Sequence, residues 1–237
     1  MKPASKHTGL YIAAAIILGW ATVLGLLLFA YRADFRSPVT YLLVLLQTHL
    51  YTGLFITAHD AMHGVVAPGH KRLNTWIGRL CTTLFVYNSY DRLFPKHHLH
   101  HRHAVSGDDP DYHDGPFLRW YVSFLFQYVT IWQIGLAAVT YNLLILVAPA
   151  ENVIAFWMIP SLLSTLQLFY FGTYLPHRGE HDAGNPHRSR SQKKNHLLAF
   201  LSCYFFGYHY EHHQWPGTPW WQLHKRKEAS PLEMDNG

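Results

Sequence analysis

Three stretches of this chain set imidazoles at spacings that suit a metal ion: "HDAMHG" with His59 and His63, "HHLHHRH" with His97, His100 and His101, and "HYEHH" with His209, His212 and His213. Residues four apart on a helix project from one face about one turn apart, so His59 and His63 can converge on one ion. The other two stretches share the spacing H-x-x-H-H, which sets three rings on one helical face and leaves His98 pointing away. Eight such rings exceed what one tetrahedral zinc takes. A nitrogen-rich set without thiolates suits iron, copper, nickel or zinc rather than calcium or magnesium, and two ions are the expected count. The two cysteines, Cys81 and Cys203, stand far apart in no C-x-x-C pattern, which argues against thiolate zinc sites, iron–sulfur clusters and a disulfide framework.

Acids lie close to the rings: Asp60 inside the pair, Glu211 inside the last triplet, and Asp108, Asp109 and Asp111 just past the middle cluster. Metal-bound histidines usually donate their second N–H to such groups, so these carboxylates are expected to orient rings. Asp108 and Asp114 read equally well as a solvated acidic turn.

Rings spread from residue 59 to residue 213 need rigid elements to meet, and the composition says of what kind. With 49% hydrophobic, 16% aromatic and only 14% charged residues, the chain is too apolar for a soluble domain of this length. Four charge-free stretches, about 10–31, 39–58, 120–148 and 153–175, are long enough to cross a hydrocarbon layer of roughly 30 Å. The basic start at Lys2 and Lys6 also suits a signal peptide, but the apolar run is long and no small-residue cleavage site follows it, so an uncleaved helix is the reading. The third stretch reads as one tilted helix, with a hairpin of two shorter segments as the alternative. Pro160 is expected to kink the fourth. Between the second and third, 76–90 is apolar enough for an amphipathic helix along the interface.

The expected fold is therefore an all-α integral membrane protein, one domain over 1–237, with four transmembrane helices and a helical cap carrying the histidines. Of 19 Lys and Arg residues, only Arg32 and Arg36 fall in the loops on the side away from the histidines. Positive charge marks cytoplasmic loops, so both termini and the histidine cap are expected in the cytoplasm. The net charge of +5 is thus a topology signal, and no nucleic-acid partner is expected.

These residues resemble the integral-membrane fatty acid desaturase and hydroxylase superfamily, whose mark is three histidine boxes holding two irons. Within it, "HDAMHG", "HHLHHRHAVSGDDPDYH", "FGTYLPHR" and "GYHYEHHQWPGTPWWQL" are most similar to bacterial and cyanobacterial β-carotene 4-ketolases, over about 40–224. The resemblance implies His177 of "LPHR" as a ninth ligand. It also brings Asp109 and Asp111, with Asp60, into the catalytic site. It implies two Fe ions, O2 as co-substrate, a carotenoid such as β-carotene drawn from membrane lipid, and ketone formation at carbon 4 of the β-ionone ring. No G-x-G-x-x-G or other nucleotide fingerprint is present, so electrons must come from an external donor, a ferredoxin-type protein attracted to a basic face.

Rival readings share or discard this machinery. A carotenoid 3-hydroxylase or an acyl desaturase would use the same boxes, whereas a metal transporter would place ligands nearer the bilayer midplane and a haem carrier would show a Soret band. Among other histidines, His49 lies inside the second span as either a functional group or a helix-to-helix hydrogen bond. Phe169, Tyr170 and Tyr174 suit either a polyene groove or helix packing. Trp215, Trp220 and Trp221 suit an interfacial belt.

Overall fold

The computed structural model describes residues 7–230, so Lys2 and Lys6 lie outside the described residues. Among the described residues all regular structure is helical. Three helices are long and apolar enough to cross a membrane: α1 (Thr8–Phe29), α2 (Pro38–Met62) and α7 (Ala150–His177). Between α2 and α7 lie α3 (Lys71–Leu84), α4 (Tyr90–His103), α5 (Phe117–Tyr128) and α6 (Ile131–Leu144). After α7 come α8 (His196–Cys203), α9 (His209–Gln214) and α10 (Leu223–Ala229).

α2 is the central post, packed on α1, α3 and α7. The sequence "RSP" starts it: the Ser37 hydroxyl accepts from the Val39 amide at 3.3 Å, and Pro38 fills the first turn, where a missing N–H costs nothing. The helix continues through Met62, beyond the span boundary expected at Ala58, so His59 and Asp60 belong to its last turn. One set of polar side chains buried in the span is paired, while Gln47 is buried without a hydrogen-bond partner. Thr52 meets Ser164 at 2.8 Å and Gln167 at 2.5 Å, which ties α2 to α7 where water is absent. At the far end the Asn152 amide donates to the carbonyls of Leu27 and Tyr31 at 2.8 and 2.6 Å, fixing the start of α7 to the end of α1.

α7 contains two π-helical turns, Ile154–Met158 and Tyr170–Tyr174, each followed within two residues by a proline, Pro160 and Pro176. A proline cannot donate to the carbonyl four residues back, and a wider turn absorbs the mismatch. The kink expected at Pro160 is in this way a pair of widened turns, the second of which leads directly into His177.

The single tilted helix expected over 120–148 is not what forms. α5 and α6 meet at a bend of 86°. Val129 and Thr130 both take extended backbone angles there, and the Thr130 hydroxyl caps α6 by accepting from the Gln133 amide at 3.1 Å. Two β-branched residues and a cap outweigh continuous hydrophobicity at this point. The interfacial helix expected at 76–90 is α3, which begins earlier and leaves Leu73, Trp76 and Leu80 exposed while burying Asn74, Gly78 and Cys81.

Candidate metal centre

Four helix ends meet on one side of the spans and bring the histidines together. α2 contributes His59 and His63, α4 contributes His97, His100 and His101, α7 ends on His177, and α9 carries His209, His212 and His213. These rings fall into two groups whose ligand atoms lie within 4.8 Å of one another: His59, His63, His97, His101 and His212 in one, and His100, His177, His209 and His213 in the other. The triplets do not stay together. In each, the residues four apart (His97 with His101, His209 with His213) share a group, and the remaining ring (His100, His212) crosses to the other. α4 and α9 therefore brace both groups at once.

The ring nitrogens suit cations. His63 Nε2 lies 2.7 Å from His97 Nε2, and His212 Nε2 lies 3.1 and 2.9 Å from those of His59 and His101. In the other group, Nε2 of His209 and His213 are 3.1 Å apart. Neutral imidazole has one N–H and one lone pair, so nitrogens gathered this closely can either share protons or turn their lone pairs on one positive ion. Two tautomers can be read from partners. The His100 Nδ1–H donates to the Asp109 carboxylate at 3.0 Å and the His177 Nδ1–H to the Arg188 carbonyl at 2.8 Å, leaving both Nε2 atoms with free lone pairs. Both Nε2 atoms are buried without a hydrogen-bond partner. The donor set thus fits a metal cofactor of the nitrogen-preferring class.

Electrostatics favour neutral rings. Burial first, then the neighbouring rings, holds His97, His101, His209, His212 and His213 well below the usual histidine value. Burial, with His98 second, pushes His63 down to about 3. His100 is the exception. Burial opposes its charge, but the Asp109 hydrogen bond and the Asp111 and Asp109 carboxylates outweigh it and raise its pKa.

The acids divide by task. Asp109 receives His100 Nδ1–H and the backbone amides of Val105 and Asp111 at 3.0 and 2.9 Å, so it is fully employed as a ring orienter. Asp111 lies 3.9 Å from His100 Nδ1 and accepts the Tyr128 hydroxyl. Burial raises Asp111 against the pull of His100. Asp60 stands 3.4 Å from His59 Nδ1 and accepts the Trp220 amide at 2.9 Å, tying the C-terminal segment to α2. Glu211, expected to orient a histidine, instead accepts the Ser191 hydroxyl at 2.5 Å and pairs with Lys227 at 3.3 Å. Its position in the middle of α9 turns it away from the rings and toward α10.

A largely apolar cavity reaches both groups from between the membrane helices. Phe55, Phe85, Leu93, Phe124, Leu168 and Phe206 line it, and it ends on His59 and His97 of one group and His100 and His209 of the other, with Asp111 and Tyr128 on its wall. Gly172 is required here, since a Cβ would lie 2.4 Å from the Phe206 ring. That ring packs on His59, His209 and His212 and so spans the two groups. Sequence reasoning missed Tyr128, Gly172 and Phe206; the only signal was their place in otherwise apolar stretches.

Other expected sites fall elsewhere. His49 stacks on Tyr204 with centroids 4.2 Å apart, remote from the ring groups. Phe169 and Tyr174 pack against Phe117 and Trp120 instead of lining the cavity. Trp220, expected in an interfacial belt, stacks among Phe200, Tyr204 and Phe205. His98 is half-buried outside both groups.

The family model described as fatty acid desaturase matches residues 36–140 and 118–234. A β-carotene ketolase of a Paracoccus species is 41% identical over 221 residues, covering 91% of this chain and 90% of that protein. A β-carotene ketolase of Haematococcus lacustris is 43% identical over 184 residues, 73% of this chain and 58% of that protein. A zeaxanthin 4-ketolase of Chlamydomonas reinhardtii is 39% identical over 249 residues, 96% of this chain. The chain spans 58% and 55% of the length of these two algal relatives.

Proposed function

We propose a reaction from one premise: the chain belongs to the fatty acid desaturase family. It is a membrane carotenoid oxygenase that makes a ketone at carbon 4 of a β-ionone ring, converting β-carotene through echinenone to canthaxanthin. The observation that carries this reading is the apolar cavity ending on rings of both histidine groups, which suits an apolar substrate arriving from the bilayer. The names of the relatives, β-carotene ketolase and zeaxanthin 4-ketolase, support the substrate class.

In this reading His59, His63, His97, His101 and His212 hold one iron and His100, His177, His209 and His213 a second. Iron bound there supplies the activation of O2 against a C–H bond, with electrons from an external ferredoxin-type donor. The protein supplies position and dryness. Phe55, Phe85, Leu93, Phe124 and Phe206 exclude water and hold the ring of the substrate against the histidines. Asp109 locks the His100 tautomer, and Asp60 steadies His59. Each of two hydroxylations at carbon 4 consumes one O2, two electrons and two protons and releases one water. The resulting gem-diol then loses water to give the ketone. Asp111, on the cavity wall with the Tyr128 hydroxyl on its Oδ1, is positioned to exchange a proton in that last step.

Four passes follow if α5 and α6 together make one broken span, with the basic histidine cap in the cytoplasm, where an acidic electron donor is attracted to it. Expression in a bacterium that accumulates β-carotene tests the reading. Conjugated ketones redden the pigment and chromatography identifies canthaxanthin. Hydroxylated products alone would instead indicate a 3-hydroxylase, and an unchanged pigment with good expression would refute the carotenoid reading.

A further inference from the structure

The two histidine groups differ in their access to water. An open groove lined by Phe94, His98, Arg102 and Pro216 also includes His63 and His101 of the five-ring group. None of the four-ring group lines it. His63, His97 and His101 are half-buried, while His100, His177, His209 and His213 are all buried.

His98 stands on the wall of this groove and is held there with some care. Its Nδ1–H donates to the Phe94 carbonyl at 2.9 Å, and its ring stacks on Phe94 with centroids 4.4 Å apart. That hydrogen bond fixes the tautomer in which Nε2 keeps the lone pair, as partners do for His100 and His177 inside the four-ring group. The His98 ring lies 5.9 Å from His63 and 6.1 Å from His97, so it is one ring beyond the five-ring group and on the water side of it.

We propose that His98 is a loading ligand: a divalent metal ion arriving from water is first held between His98 and His63 at the groove and then passes into the five-ring group. The step is ligand exchange, in which imidazole nitrogens replace water on the ion and no covalent bond of the protein changes. The four-ring group does not line this groove and is reached only by the apolar cavity, so its ion exchanges more slowly. This inference rests on the reading of the nine histidines as metal ligands.

Isotope exchange tests it without measuring turnover. Full-length iron-loaded protein in detergent is mixed anaerobically with ferrous iron of a heavy isotope, and incorporated isotope per chain is followed by mass spectrometry. The expected course has a fast and a slow phase of equal amplitude. His98→Phe keeps a ring against Phe94 but offers no nitrogen, and is expected to slow the fast phase about tenfold, the lower end of what groups just outside a metal's ligands contribute. His98→Cys, which restores a ligand, brings the fast phase back. A single phase, or a fast phase indifferent to His98→Phe, overturns the proposal. His98→Ala adds the opposite sign: slower exchange supports a ligand, and faster exchange means that the ring is only a plug. Pigment analysis of the same variants separates this inference from the reaction. Ketone formation with His98-independent exchange removes the loading role alone, and two-phase exchange without any ketone removes the reaction alone.

Discussion

The four-ring and five-ring groups share α4 and α9 yet are held in different ways, the first completed by α7 and the second by α2. The four-ring group is sealed from the open groove, although the apolar cavity reaches His100 and His209, and two of its rings are fixed from behind, His100 by Asp109 and His177 by the Arg188 carbonyl. The five-ring group is open on one side to a groove and has one ring more than the other. Redundancy goes with exposure, and rigidity with burial. On the proposed assignment of one ion to each group, the two positions have different margins for damage.

The largest expected effect tests that margin. His177→Ala leaves the sealed group with three rings, and ketone formation is expected to fall by more than about a hundredfold, beyond what the loss of an orienting partner costs. His63→Ala leaves four rings in the open group, as many as the other group begins with, so the loss should stay within about tenfold and both irons should remain. Iron counts on the two purified variants decide it, and equal iron loss in both would erase the distinction.

The next effect removes support common to both groups. α9 supplies His209 and His213 to one and His212 to the other, and its Glu211 is buried against Lys227 of α10. Lys227→Met strands that carboxylate, which costs about 3–5 kcal/mol for a buried pair. The thermal midpoint should drop, and both ions should become labile together, where the histidine changes affect one. Lys227→Met combined with Glu211→Gln should recover most of the loss. If the single change releases iron from the open group alone, α9 is not the shared brace.

Much of this site was legible in the sequence because histidine spacing is local chemistry. An i, i+4 pair must share a helix face, so the nine rings could be named from their boxes and from the resemblance that singled out His177. The crossing of His100 and His212 to opposite groups was not legible, since it depends on how α4 and α9 approach each other across residues over a hundred apart. The same holds for Glu211, whose neighbours in sequence are histidines but whose partners, Ser191 and Lys227, come from distant segments. Hydropathy located the long spans α1, α2 and α7. It was blind to the bend between α5 and α6, where Val129 and Thr130 change the backbone without changing the hydrophobic run.

A smaller effect lies behind His100. Asp109→Asn keeps the shape but removes the charge that orients the ring, and replacements of such partners lower metal affinity about 10–100-fold. The loss should appear in a chelator titration as weakened binding of the slowly exchanging ion. Weakening of the fast ion would contradict the assignment of His100 to the sealed group.

The smallest effect is a difference between two pH slopes, measured on metal-free protein. His63 titrates near 6.5 when unfolded and at about 3 when folded. As the pH falls below 6.5 the unfolded chain takes up a proton that the folded chain refuses, so stability present above 6.5 is lost progressively towards 3. The other lowered rings of the cap act in the same direction, each by up to about 1.4 kcal/mol per pH unit. His100 runs the other way. Its folded pKa is raised, so its contribution is fully present below the unfolded value and fades as the pH rises through the folded one. His100 therefore offsets part of the acid loss, and only while Asp109 is charged beside it. Asp109→Asn should make the fall in thermal midpoint between about pH 7 and about pH 5 steeper than in the unchanged protein. Parallel slopes would mean that the Asp109 carboxylate orients His100 without stabilising its charge, and the sealed group would then differ from the open one in access alone.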